Sequence, residues 1–313
     1  MKLLAEGTCE ELPGNGYRLV RNHNNGKPVA VFGPVAGELG HEMLMERPVV
    51  MRGIAKAKEA GYHVMVSGVK NRHPLYGMAD EFWGIRSFRM DESWTAWYEQ
   101  IKKEKLNNFR NASDLKFVSP KCWNNDPKLN ESCWPLPRPS SAASEMAKKI
   151  AGNKRLVTIC TRHYDRPRDF HAWQEYVSQL RGLCGPELKI ISVTPKQYSV
   201  ILSGTEYLQD LVGINDHLDV ELALHALASC CVTTNTGGAG VMIYANAKTL
   251  LVLDGTVGHQ PGWHGMNDLV SKENGVSPTE IIEFPSHVFK PIEYEMELAV
   301  RVAKKTKEVL DRT

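Results

Sequence analysis

The run Thr233-Thr234-Asn235-Thr236-Gly237-Gly238-Ala239-Gly240-Val241 joins an apolar segment to a helix-forming one through three glycines flanked by hydroxyl side chains. A strand ending in a parallel sheet opens toward the ligand crevice. The helix that follows offers uncommitted N–H groups and the positive end of its dipole. Glycines at that place let the backbone come close to a diphosphate. The competing account is a tight turn that needs positive φ and holds no ligand.

A second segment, Thr161-Arg162-His163-Tyr164-Asp165-Arg166-Pro167-Arg168-Asp169, follows another apolar run. The guanidinium is a forked, permanently charged donor, so three arginines at a strand end suit a phosphate or another anion. Arg162 stands nearest the strand and is the strongest candidate, ahead of Arg166 and Arg168. A solvated charged loop with internal Asp pairing is the bland alternative.

A third segment, Gly37-Glu38-Leu39-Gly40-His41-Glu42, places two acids and a histidine at a turn. Any of Glu38, His41 and Glu42 could take a proton from a hydroxyl nucleophile. Acids are also favoured in a first helical turn by the dipole alone. A fourth, Asp254-Gly255-Thr256-Val257-Gly258-His259-Gln260-Pro261-Gly262-Trp263-His264-Gly265, follows the last apolar run. Asp254, His259 and His264 are polar candidates there, and Trp263 could stack on a base or sugar. A flexible glycine-rich loop explains the same composition.

Several familiar patterns are missing. The first turn has no Gly-Lys-Ser/Thr and no Gly-x-Gly-x-x-Gly, which speaks against a Walker loop and a nicotinamide dehydrogenase. His41-Glu42 begins like a zinc-protease helix, but position 45 is Met. No Gly-x-Ser-x-Gly elbow occurs. The seven cysteines have no Cys-x-x-Cys spacing, so no metal is expected. Cys160, Cys230 and Cys231 lie in or beside apolar runs and read as buried free thiols.

These segments need elements to hold them. Pro28–Phe32 reads as a strand, a helix runs from near His41 toward Lys58, and Tyr62–Ser67 is the next strand. That is a βαβ unit, which requires a parallel pair. From Arg86 to Leu136 the pattern weakens into a Trp- and Asn-rich stretch with clustered prolines, which places a domain boundary near residue 140. Beyond it, strands at 155–160, 188–193, 231–234 and 249–253 alternate with helices at 170–183, 220–228 and from the glycine run to about 247. A helical tail spans 292–310. Such alternation predicts a doubly wound α/β domain.

The chain has 313 residues, 42% hydrophobic and 24% charged, and a formal net charge of +2. This fits about two globular domains and gives no global footprint for nucleic acid. No run approaches the length of a membrane helix, and the N-terminus lacks a signal-peptide apolar region. A soluble, cytoplasmic protein is the expectation.

The run Leu222–Ser229 into Val232–Gly240 and on to Leu250–Gly255 resembles the donor-binding half of GT-B glycosyltransferases, in particular the heptosyltransferase-like group. Gly37–His41 is similar to the amino-terminal Leu-Gly-Asp turn of that group, except that His41 stands where the Asp base is found. The resemblance covers about half of the chain, mostly 155–255, and implies an α/β fold of two Rossmann-like domains facing a cleft. Residues 1–140 become the acceptor-side domain and 141–290 the nucleotide-sugar-binding domain. Residues 291–313 become a terminal helix that crosses back to the first.

By the same resemblance, Thr236, Gly237, Gly238 and Ala239 hold the diphosphate of a nucleotide-sugar co-substrate, and Arg162 takes the basic strand-end position. The reading of the segments themselves adds Gly240, Arg166, Asp254 and His259 to the donor side. The base is Glu38, His41 or Glu42, and neither metal nor cofactor is required. The acceptor expected is a glycan. A hydroxymethylated DNA base is a second class, suggested by Lys102, Lys103 and Lys105 near Trp94 and Trp97. A nucleotide-sugar epimerase and a non-catalytic nucleotide-sugar-binding protein are the alternatives.

Overall fold

The structure, a computed structural model, describes residues 7–12, 16–35, 39, 42–43, 47–85, 136–162, 170–213, 217–234, 236–254, 280–284 and 292–312. The chain divides into two compact units between Arg138 and Pro139. The Trp- and Asn-rich stretch, with the lysines proposed to meet DNA, lies outside the described residues.

The first unit holds β1 (Thr8–Leu12), β2 (Gly16–Val20), β3 (Val29–Val35), α1 (Arg47–Glu59), β4 (His63–Val69), a 3-10 turn (Lys70–Tyr76) and β5 (Glu81–Ile85). Its sheet has the order β1-β2-β5-β4-β3. The β3, β4 and β5 strands are parallel, while β1 and β2 join the edge antiparallel. The expected βαβ unit is β3-α1-β4. Ahead of α1, Leu39 is α-helical and Glu42 and Met43 are π-helical. Gly33 needs to be glycine: its φ is +113°, and a Cβ there would lie 2.4 Å from the Ser67 carbonyl oxygen of β4.

Buried charge collects at the start of β4 and β5. Glu81 takes hydrogen bonds from Arg18 Nε at 2.7 Å and Trp83 Nε1 at 3.2 Å, and sits 2.8 Å from His63 Nε2. Asp80 accepts from Val64 N–H and Asn22, each at 2.8 Å, and pairs with Lys58. Burial works against the Asp80 carboxylate, yet these donors outweigh it and hold its pKa below the usual value. This network lies at the N-terminal ends of the parallel strands, the edge opposite the ligand-facing one.

The second unit holds α2 (Ser141–Ala151), β6 (Arg155–Cys160), α3 (Trp173–Cys184), β7 (Leu188–Ser192), β8 (Glu206–Tyr207), α4 (Leu208–Val212), α5 (Leu218–Leu227), β9 (Cys230–Thr234), α6 (Gly237–Tyr244), β10 (Thr249–Asp254), β11 (Glu280–Phe284) and α7 (Ile292–Asp311). All six strands are parallel, in the order β11-β10-β9-β6-β7-β8. Parallel strands covered on both faces read as continuous apolar runs, which is why β6, β7, β9 and β10 are legible in the sequence. The α7 helix packs on α3, placing Leu298, Ala299 and Val302 with Trp173, Tyr176 and Leu180 in one core.

The Ser140 hydroxyl caps α2 by accepting the Ala143 N–H at 3.1 Å and donates to Asp219 of α5 at 2.6 Å. A buried carboxylate thus fixes the first residues after the unit boundary.

Candidate functional site

The strand order of the second unit reverses between β6 and β9. An open α/β sheet places its ligand outside the carboxyl ends of the strands at that switch point. Cys160, the last residue of β6, is in register with Thr233 of β9. Arg162 and the glycines of the α6 turn, more than 70 residues apart in sequence, therefore leave the sheet side by side.

None of Gly237, Gly238 and Gly240 has a positive φ, so the run is not a left-handed turn. It is the first turn of α6, which is buried on every side: Ala239, Val241, Met242 and Tyr244 are all sealed. Small residues let this end of the helix sit close on the sheet. A Cβ on Gly238 would meet the Cys160 sulfur at 2.6 Å, so Gly238 is glycine because β6 is against it. Within the first turn Gly237 is half-buried while Gly238, Ala239 and Gly240 are buried. Gly237, with half-buried Arg162 on the neighbouring strand end, is where the turn meets solvent.

Thr236 precedes the helix in extended backbone, and its side chain does not cap it. Its hydroxyl instead shares hydrogen bonds with Thr233 at 3.3 Å and the Cys160 sulfur at 3.5 Å. Thr194 donates to the same sulfur at 3.3 Å. Thr161 shares hydrogen bonds with Ser192 and Ser199. Burial pushes the Cys160 thiol up against the effect of the Thr194 and Thr236 contacts, so the sulfur is neutral at neutral pH. The ends of β6, β7 and β9 are therefore tied by an uncharged hydroxyl and thiol layer. Such a layer brings no repulsion to an anion at the helix N-terminus.

Thr161, Thr233 and Thr236 fall within the two segments singled out in the sequence, whereas Cys160, Ser192, Thr194 and Ser199 are joined to them only by the fold.

Beneath the site, fully buried His225 of α5 has Nδ1 2.8 Å from the Thr158 hydroxyl of β6 and 3.5 Å from the Cys231 sulfur of β9. Its Nε2 is 3.5 Å from Glu221, whose other oxygen is 4.0 Å from His217 Nε2. Burial disfavours the imidazolium, but the Cys231 sulfur and then the Glu221 carboxylate outweigh it and push the pKa up to about 9. This stabilisation is full below the unfolded value of 6.5 and fades as pH rises through about 9. It should fall as pH rises from 7 through 9. Thermal unfolding of wild type and His225→Gln across that range checks this: the gap between them narrows as pH rises, and a constant gap contradicts it.

In the first unit Glu42 is fully buried. Tyr76 O–H donates to Oε1 at 2.9 Å, and Arg72 Nε lies 3.1 Å from Oε2. Both partners belong to the 3-10 turn that follows β4, so the carboxylate joins the connections at the C-terminal ends of β3 and β4. Nothing in the sequence singles out Arg72 or Tyr76. Glu38, His41, Arg166 and His259 lie outside the described residues. Asp254 is the last residue of β10, in register with Phe284 of β11.

Among the described residues no group of three His, Cys, Asp or Glu is arranged to hold a metal ion, and no helix is long and apolar enough to cross a membrane. Cys9, Cys160, Cys184, Cys230 and Cys231 are free thiols, with 160, 230 and 231 buried as expected.

No protein-family model matches the chain, and no curated protein matches it in sequence. Solved structures do match. A glycosyl transferase family 9 protein from Veillonella parvula DSM 2008 is similar at TM-score 0.62 and 10% identity, over 92% of this chain and 98% of that one. ADP-heptose LPS heptosyltransferase II of E. coli is similar at TM-score 0.59 and 10% identity, over 91% and 98%. E. coli heptosyltransferase WaaC with ADP gives 0.50 and 10%, over 89% and 99%. The fold is GT-B, with two Rossmann-like α/β units.

Proposed function

We propose that the chain is a glycosyltransferase that moves a sugar from a nucleotide-sugar donor to an acceptor hydroxyl. The observation that carries this reading is the register of Cys160 with Thr233, which brings Arg162 and the uncapped start of α6 to one switch point. The GT-B fold, shared with glycosyltransferases, supports it.

In this reading the diphosphate lies at Thr236–Gly240, with Gly237 and Arg162 nearest to it and Arg166, Asp254 and His259 around it. An acceptor hydroxyl attacks the anomeric carbon as its proton passes to a base, and the bond to the diphosphate breaks. Negative charge grows on the leaving group. The α6 N–H groups and Arg162 bind that charge more strongly than the ground state, which is what lowers the barrier. No metal is required of such a site.

The base is Glu38 or His41. Glu42, the third candidate, has both oxygens engaged by Tyr76 and Arg72 and no exposed surface, so it serves as a positioning residue. A glycan is the acceptor this reading favours.

Thermal unfolding with UDP-, GDP-, ADP- and CMP-sugars tests the donor. A true donor at a hundred times its Kd adds about 2.7 kcal/mol. Arg162→Ala should weaken that donor at least tenfold, since a hydrogen bond to a charged group is worth about 1.5–3 kcal/mol. Arg162→Lys restores only part, because lysine lacks the fork. No stabilisation by any of the four sugars ends the proposal.

A further inference from the structure

Past β7 the chain turns through Lys196–Tyr198 and runs back alongside the end of β6. Ser199 forms an antiparallel bridge with Arg162, and Val200 N–H donates to the Thr161 carbonyl at 3.4 Å. The Tyr207 hydroxyl donates to the Val200 carbonyl at 2.9 Å and accepts from Leu202 N–H at 2.7 Å. Gln174 of α3 accepts the Ser203 N–H at 2.8 Å. The loop is thus braced from β6, from β8 and from α3. Yet it leaves Tyr198 44% and Ile201 65% exposed, and Ile201 is the most exposed large apolar side chain among the described residues.

The bracing fixes Tyr198 next to Ser199, the residue bridged to Arg162. The loop also stands at a definite distance from the α6 turn. One strand spacing separates β9 from β6, and the Arg162–Ser199 bridge adds another, about 10 Å in all. A ribose covers a gap of that order between a diphosphate and its base.

We infer that Tyr198, next to the residue bridged to Arg162, is the platform on which the donor's nucleobase stacks. This rests on the transferase reading and adds to it the side of the switch point on which the nucleoside lies. A π-face stacks with any base, so the platform supplies affinity with little discrimination among bases.

Calorimetric titration of the full chain with ADP, GDP, UDP, CDP and inorganic pyrophosphate tests the inference. Tyr198→Ala should weaken the best-bound nucleoside diphosphate about tenfold, the loss expected for one stacked base. Its affinity for pyrophosphate should not change, and Tyr198→Phe should bind like wild type. Arg162→Ala should weaken both kinds of ligand. If Tyr198→Ala binds nucleoside diphosphates as wild type does while Arg162→Ala does not, the platform is refuted and the transferase reading stands. The platform is refuted likewise if Tyr198→Ala changes only the KM for acceptor. If wild type binds none of the five, both readings fall together.

Discussion

Glu42→Ala should destabilise the first unit by about 3–5 kcal/mol, the cost of removing one partner from a buried ion pair. The carboxylate is sealed, and it receives the Tyr76 hydroxyl on one oxygen and faces Arg72 on the other. Tyr76 is itself stacked on Phe82, with ring centroids 6.1 Å apart, so it has little room to follow a shortened partner. Glu42→Gln keeps the shape and loses the charge, and should cost less. Tyr76→Phe removes a single hydrogen bond and should cost about 1 kcal/mol.

Denaturant unfolding followed by tryptophan fluorescence measures the series. An alanine variant within about 1 kcal/mol of wild type would show that the pair does not hold the turn. The series also separates two reasons for lost activity. Substituting the base leaves folding intact, whereas substituting Glu42 lowers stability and turnover together.

Gly238→Val should cost about 3 kcal/mol, at the upper end of what overpacking costs, and should abolish donor binding. Even alanine places its Cβ 2.6 Å from the Cys160 sulfur, 3.3 Å from the Cys160 Cβ and 3.3 Å from the Thr236 hydroxyl. The sulfur cannot swing aside cheaply, because Thr194 donates to it from beyond β7 and it shares a hydrogen bond with Thr236. The helix must retreat from β6 instead, carrying with it the N–H groups assigned to the diphosphate.

Cys160→Ala removes the obstructing atom and should recover part of what Gly238→Ala loses. A coupling energy of about 1 kcal/mol or more between the two sites is expected, well beyond the additivity of independent positions. Strictly additive losses would mean that Gly238 is constrained by something other than Cys160.

The elements legible in the sequence share a physical cause. Strands β6, β7, β9 and β10 are enclosed on both faces and so spell uninterrupted apolar runs. The elements that escape a sequence reading lack that signature. Thr8–Glu11 of β1 is exposed throughout, so no buried apolar alternation marks this edge strand. In β5, Glu81 and Gly84 interrupt the apolar pattern. The β8 strand is two residues long, and β11 has acids at two of its five positions. Glu42 reads in the sequence as an acid of a first helical turn, and only the structure commits it to a buried pair.

The residues near 236 and 162 can be chosen as anion binders from the sequence alone. Glycines and arginines at the ends of apolar runs are local signals, and strand-end placement follows from local periodicity. What no local signal carries is which strand ends become neighbours. Only the six-stranded sheet set Cys160 beside Thr233, assigned the constraint on Gly238 to a sulfur 78 positions away and drew the Tyr198 loop along β6. These are long-range contacts, and they form only when hydrophobic burial closes the sheet. Their partners leave no mark on each other's immediate sequence.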